Sequence, residues 1–267
     1  MDFTVKKYQQ LLRAINASDY AIQNMASFME DPTHRVIVLR HDVDERPENT
    51  LPLARAEHRL GIQSTYYFRI VGISNNPEVI KEIVGLGHEI GYHYEDYSSC
   101  KGDIETAIKG FQENLTYFRQ FYPVKTVCMH GSSMSSFDNR DLWEHYTLED
   151  FGLIGEPYLT IDYSDVLYLT DTARTWNGDK YSIRDSVDSR VRETGIYKTD
   201  DIIGHLQADA LPDKIILQSH TLWTDNMVEW LWLECRERIR NRLKIVLQRS
   251  PALKNMAYNM IQRYSNK

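Results

Sequence analysis

The sequence predicts an α/β fold, a parallel (β/α)7 barrel with extra helices at its N- and C-termini. Three observations lead there. Short β-branched and aliphatic runs alternate with segments of helical periodicity, the order that builds parallel sheets. The first such run, Val36-Ile37-Val38-Leu39, ends abruptly in Arg40-His41-Asp42-Val43-Asp44, as a strand does when helices cover its sides and a ligand meets its carboxyl end. Other candidate strands also end in reactive side chains, namely His93, His130, Asp171 and His220, and a parallel barrel gathers such ends on one face.

Taken in order, Tyr8 to Met29 has the helical spacing of Leu11, Leu12, Ile15, Ala21 and Ile22, interrupted near Ser18 and Asp19. It reads as one or two helices packed outside the barrel. Residues 1–30 therefore form an N-terminal helical segment, 31–225 the barrel and 226–267 a basic helical extension. After the first strand, Pro47 to Leu60 reads as a helix closed by Gly61. Ser64 to Ile70 is rich in β-formers and makes the second strand. Asn76-Pro77 opens a helix to Val84, and a third strand spans Glu89 to His93. Asp103 to Phe121 is a clear amphipathic helix, with Ile104, Ala107, Ile108, Phe111, Leu115 and Phe118 on one side.

Val124 to His130 is the fourth strand, and Asp138 to His145 a brief helix. Phe151 to Ile154 and Val166 to Thr170 are expected as the fifth and sixth strands. Asp179 to Arg192 reads as a loop or outer hairpin. Thr199 to Ala208 is a helix begun by Thr199 or Asp200, and Lys214 to His220 is the last strand. From Val228 onward there are nine Lys/Arg against three Glu, with Trp230, Leu233 and Ile239 near Arg236, Arg240 and Lys244. That extension reads either as a docked helix with a solvated basic side or as a surface for weak contact with acidic lipid.

Composition narrows the function. A formal charge of -7 argues against a general nucleic-acid binder. Cys100, Cys128 and Cys235 are odd in number and lack CxxC spacing, so neither a disulfide framework nor a zinc knuckle is expected. The N-terminus lacks the apolar run of a signal peptide and no stretch is long enough to span a membrane, which makes the cytoplasm the expected location.

Period-2 geometry puts Arg40, Asp42 and Asp44 on one side of the first strand. Two carboxylates about 6–7 Å apart along a strand repel unless a cation or proton lies between them, which suggests a metal. The plainer alternative is that they cap the next helix, with Pro47 in its first turn. In Gly87-His88-Glu89-Ile90-Gly91-Tyr92-His93 the histidines are five apart, so they share neither a helix face nor a strand face. His93, at the strand end, is the better ligand, and His88 reads as a buried hydrogen-bonding residue.

Asp42-Val43-Asp44, Gly87 to His93 and Ser219-His220-Thr221 resemble, in order and position, motifs of the polysaccharide deacetylases of the NodB-homology class, carbohydrate esterase family 4. The resemblance covers about Val36 to Trp223. It is similar to a distant bacterial branch with one residue between the acids, found with surface-polysaccharide genes. It implies a distorted barrel in which Asp42 is the catalytic base, Asp44 and His93 hold a divalent metal, and His220 is the general acid. The family's second metal-binding histidine falls at Tyr97. His130 is its expected replacement, with Glu95 or Asp96 as alternatives. Arg174 or Arg40 would supply the charge of a missing family arginine near the substrate, and Asp171 would orient His220. Trp176 and Trp223 are either sugar-stacking faces or core.

The resemblance thus implies a hydrolase of non-peptide C–N bonds, using one divalent ion, zinc first and cobalt or iron otherwise. Its substrate would be an N-acylated sugar, nucleotide- or lipid-linked or part of an oligosaccharide. A deformylase, another amide hydrolase, and an inactive glycan-binding barrel are the alternatives.

Overall fold

In the first half of the chain the elements are α1 (Val5–Asn16), β1 (Ala21–Gln23), α2 (Met25–Glu30), β2 (Val36–Val43), α3 (Thr50–His58), β3 (Thr65–Phe68), α4 (Pro77–Gly85), β4 (Glu89–Tyr94), α5 (Asp96–Ser99) and α6 (Ile104–Phe118). The second half adds β5 (Val127–Met129), α7 (Pro157–Thr160), β6 (Val166–Thr170), α8 (Thr199–Gln207), β7 (Lys214–Ser219) and α9 (Met227–Arg249). This computed structural model describes residues 1–131, 135–176, 187–189, 191 and 195–249, with side chains to 243.

Among the described residues seven parallel strands form one sheet, ordered β5-β4-β3-β2-β7-β6, and it curls into an open α/β barrel. Strand β2 is its centre. A strand has two edges, and β7 takes one, along Val36 to His41. The other is shared end to end: β1 pairs with Val36–Val38 and β3 with Arg40–Val43. All eight residues of β2 are buried, which accounts for its lack of polar alternation. Ile37 and Leu39 face α1, α3 and α8, packing with Leu12, Leu53 and Ile202. Val36 and Val38 turn inward to Tyr67, Cys128 and Ile216, and Met25 and Phe28 of α2 join this inner cluster. Arg40 and Asp42 continue the inward row, so the same alternation that builds the core delivers charge at its carboxyl end.

Helix starts follow capping chemistry. Thr4, Asn24, Asn76 and Asp103 each accept a backbone N–H in the first turn of α1, α2, α4 and α6. Helix α8 begins at Thr199, as expected, with Lys198 at the cap position in place of Thr199 or Asp200.

Two expectations need correction. The segment Tyr8 to Met29 is not helical throughout, because β1 lies between α1 and α2 and the second helix is capped by Asn24 rather than Ser18 or Asp19. Three residues are too few to disturb a 3.6-residue periodicity. Phe151 to Ile154 is no strand either: a 3-10 turn at Glu149–Phe151 ends at Gly152 (φ 64°), leaving one isolated bridge, Thr126 to Gly155. The sheet thus reaches seven strands with β1 in place of that segment. Asp179 to Arg192 lies mostly outside the described residues, as does the chain beyond Arg249.

Candidate functional site

Four strand ends converge beside one cavity of about 570 Å3, whose walls include Asp44, His130, Asp171, Arg174, His220 and Arg236. Asp42 and His93 stand behind Asp44, 4% and 3% exposed.

On one side Asp44, His93 and His130 come together. Asp44 Oδ1 is 3.3 Å from His93 Nε2 and 3.8 Å from His130 Nε2, and it is buried without any hydrogen-bond partner. The far ring nitrogens are engaged: His93 Nδ1 lies 2.9 Å from the Cys128 carbonyl and His130 Nδ1 lies 3.0 Å from Glu95 Oε2. A carbonyl and a carboxylate only accept, so each Nδ1 is the protonated nitrogen and the Nε2 atoms turn toward Asp44. Donors held about 2.0–2.1 Å from a tetrahedral zinc lie roughly 3.3–3.5 Å apart, close to the separations here. One carboxylate and two imidazoles, each with its outer nitrogen fixed, suit a transition-metal cation.

The neighbouring groups explain why other donors are less apt. Glu95 is clamped by Arg69, whose Nε and Nη2 donate at 3.1 and 2.8 Å, and it sits behind His130. Burial opposes ionisation of Glu95, but the His130 and Arg69 hydrogen bonds pull it down to about 2. Asp96 is occupied by Tyr92 at 2.7 Å and Asn114 at 2.8 Å. Tyr97 packs edge-on against Phe137. Asp42, His93 and Cys128 also bring donor atoms within 4.8 Å of one another. There, however, Arg40 Nη2 already contacts Cys128 Sγ at 2.9 Å and Asp42 Oδ2 at 2.6 Å, and a fixed guanidinium repels a second cation. The Asp44 set is the better cradle.

Asp42 receives Arg40 Nε at 3.0 Å on Oδ1 and Gln218 Nε2 at 3.0 Å on Oδ2. Burial would raise its pKa, and Arg40, with His93, more than offsets this, so Asp42 stays ionised. Burial likewise works against Asp44, and His130 with His93 holds it well below the usual carboxylate range.

Across the cavity, His220 Nδ1 is 2.8 Å from Asp171 Oδ1, while Trp223 Nε1 donates to Asp171 Oδ2 at 2.9 Å. Burial disfavours the imidazolium, but Asp171, then Asp44 and Asp42, raise its pKa to about 10. The ring is therefore protonated at neutral pH, with Nε2 free of Asp171. Backbone strain clusters here. Thr221, Ala173 and Arg174 have φ of 47°, 66° and 56°, and for a β-branched threonine this is an outlier. Such conformations cost about 1–3 kcal/mol each and persist where packing over-determines them.

Three expected roles change. Arg40 is fully buried against Asp42 and is not among the residues lining the cavity, so its charge is directed at that carboxylate. Trp176 and Trp223 are 3% and 1% exposed and belong to the core, so neither offers a face to a sugar. Arg174 does line the cavity: Nε pairs with Glu234 at 2.6 Å, Nη1 donates to the Leu222 carbonyl at 2.9 Å, and buried Nη2 has no hydrogen-bond partner.

Sequence reading missed Gln218, which lies in β7 two residues before His220 and was legible from period 2. It also missed Glu57. On the opposite side of β2, His41 joins Ser219 Oγ at 2.8 Å to Glu57 Oε1 at 2.8 Å. Glu57 also accepts from the hydroxyls of Tyr8, Ser64 and Tyr66. His88 closes this buried layer, its Nε2 2.9 Å from the Ala54 carbonyl.

No family model matches the chain, and no curated protein matches it. Solved structures do. A family 4 carbohydrate esterase from Streptomyces lividans is 14% identical over 76% of this chain and 86% of its own, with a TM-score of 0.42. A peptidoglycan deacetylase from Bacillus subtilis is 13% identical over 88% and 98%, with a TM-score of 0.41. A family 4 pseudoenzyme from Bacillus anthracis is 13% identical over 79% of this chain, TM-score 0.41, and the chain spans only 63% of its length. These likenesses concern the fold and say nothing of substrate or mechanism.

Proposed function

We propose that this chain is a metal-dependent hydrolase that removes an N-acetyl or other small N-acyl group from a sugar. The supporting observation is the buried Asp44 Oδ1, free of hydrogen bonds and faced by two imidazole Nε2 atoms at 3.3 and 3.8 Å. Asp44, His93 and His130 would hold zinc, or cobalt or iron in its place, leaving coordination open for substrate. When bound, such a cation acidifies a water and polarises the acyl oxygen.

The remaining work falls to the protein. Asp42, kept anionic by Arg40, accepts the proton of the attacking water, with Gln218 fixing the orientation of its carboxylate. His220 enters as imidazolium and gives its Nε2 proton to the departing amine. Asp171 holds the ring by Nδ1, and Trp223 holds Asp171. Arg174, on the cavity wall, would lend its positive charge to bound substrate. The acyl sugar would be a nucleotide- or lipid-linked precursor of a surface polysaccharide, or an oligosaccharide.

Release of acetate or formate from N-acyl sugars by the zinc-loaded protein tests this. Turnover should vanish in Asp42→Asn and His220→Ala. Turnover at the parent rate in Asp42→Asn would overturn the assignment of the base.

A further inference from the structure

Helix α9 carries more exposed apolar surface than docking to the barrel explains. Of the eleven large hydrophobic side chains exposed among the described residues, six are on α9, with Val228 at 78% and Ile239 at 61%. The sequence placed Trp230, Leu233 and Ile239 together near Arg236, Arg240 and Lys244. Instead Leu233 is fully buried and Trp230 Nε1 donates to the Asp2 carbonyl at 2.7 Å, so those two dock the helix.

At 100° per residue, Leu231, Cys235, Val228, Ile239, Trp232 and Leu243 fall within one outward arc of roughly 140°. All six are exposed, and the charges that share the arc are Arg238 and Arg242. The acids of α9 lie outside this arc: Glu229 pairs with Arg46, Glu237 with Arg240, and Glu234 with Arg174 and, at 3.6 Å, with Arg238, whose side chain stays 78% exposed. The outward face is therefore apolar and positive, with no carboxylate of α9 in it. Trp232 lies at one border, between the guanidiniums of Arg46 and Arg236, each 4.7 Å from its ring centre. Arg236 and Arg240, next around the helix, line the cavity, so the cavity opens beside this face.

We infer that the outward face of α9 rests on an anionic lipid surface. Apolar side chains enter the head-group boundary, Trp232 sits at that depth, and Arg238 and Arg242 meet lipid phosphates. A second copy laid face to face on α9 fits less well, because it would bring the exposed Arg238 and Arg242 against their own like charges, with only Glu234, at the border, beside Arg238. No described helix is long and apolar enough to cross a bilayer, so α9 lies on the surface. The inference stands apart from the hydrolase reading, although it would present the cavity to substrate at that surface.

The test uses the full chain in co-sedimentation with vesicles of phosphatidylcholine, alone or mixed with phosphatidylglycerol. The exposed pairs Leu231→Glu/Ile239→Glu and Arg238→Glu/Arg242→Glu are compared with the parent, their folding checked by circular dichroism. The parent should pellet with the anionic vesicles, stay in solution with the neutral ones, and be released by salt. Each double variant should lose about tenfold or more in partitioning while zinc content is unchanged. Parent-like binding by either variant overturns the inference. So does a parent that ignores both vesicles, including one whose α9 face proves by sedimentation equilibrium to be a dimer contact.

Discussion

Asp44 Oδ1 and His93 Nε2 approach to 3.3 Å in a buried site, with no hydrogen bond to the carboxylate oxygen and His93 Nδ1 committed to the Cys128 carbonyl. Unless a cation or a proton lies between them, two lone pairs oppose each other. The fold holds the arrangement because strands β2 and β4 are both paired with β3, and Tyr67 of β3 leaves β4 little room to shift.

Gly91 shows how tight that spacing is. A Cβ there would overlap the Tyr67 ring and stand 2.9 Å from the Thr126 carbonyl. Gly91→Ala should destabilise the protein by about 1–3 kcal/mol and displace β4 just before His93. The urea midpoint and the zinc affinity should both fall. A variant with parent stability would show that β4 has room to move.

Glu95 is assigned as the group that aims His130. Glu95→Gln removes its charge but keeps its length, and zinc affinity should drop about 10–100-fold, read by competition with a chromogenic chelator. An unchanged affinity would mean that Arg69 and the backbone alone fix the ring.

Glu57 gathers His41 and three hydroxyls with no exposure to water. Breaking such a buried pair costs about 3–5 kcal/mol, the loss expected in Glu57→Gln by urea melts at neutral pH. Burial opposes its ionisation, but His41 and its hydrogen bonds bring its pKa from 4.5 down to about 2. Its contribution is therefore complete above pH 4.5 and fades as pH falls toward 2. The variant should lack that part of the acid slope, and parallel curves for the two proteins would count against the assignment.

His220 has the opposite sign. Its pKa rises from 6.5 to about 10, so its stabilising charge is complete below pH 6.5 and is lost as pH rises through 10. In its proposed role as the acid, it would make turnover fall on the same alkaline side. Asp171→Asn should move that fall to lower pH, visible in the pH profile of kcat. A bound cation lowers the starting value but leaves the direction of the shift. An alkaline limb that stays in place would remove Asp171 from its orienting role.

Much of the fold was legible because long periodic segments such as α6 and the apolar run of β2 state their own geometry. The three-residue β1 carries no periodicity of its own, and its pairing depends on Val36–Val38. Phe151 to Ile154 has strand composition, but Gly152 and Gly155 turn it into a looped edge. At the site, strand-end positions pointed to Asp42, Asp44, His93, His130 and His220 together. Burial was not legible: Trp176 and Trp223 have the composition of a sugar platform and the environment of a core. Nor was Glu57, a charged residue in a helix whose partners come from α1, β2 and β3 and meet it only after folding.

The most direct measurement is metal content by plasma mass spectrometry on four proteins purified alike after zinc loading. The parent and Asp42→Asn should each carry about one zinc per chain, as one Asp/His/His site provides. Asp44→Ala and His93→Ala should carry almost none while remaining folded by circular dichroism. Full occupancy in His93→Ala, or loss of zinc in Asp42→Asn with retention in Asp44→Ala, would contradict the site described for this chain.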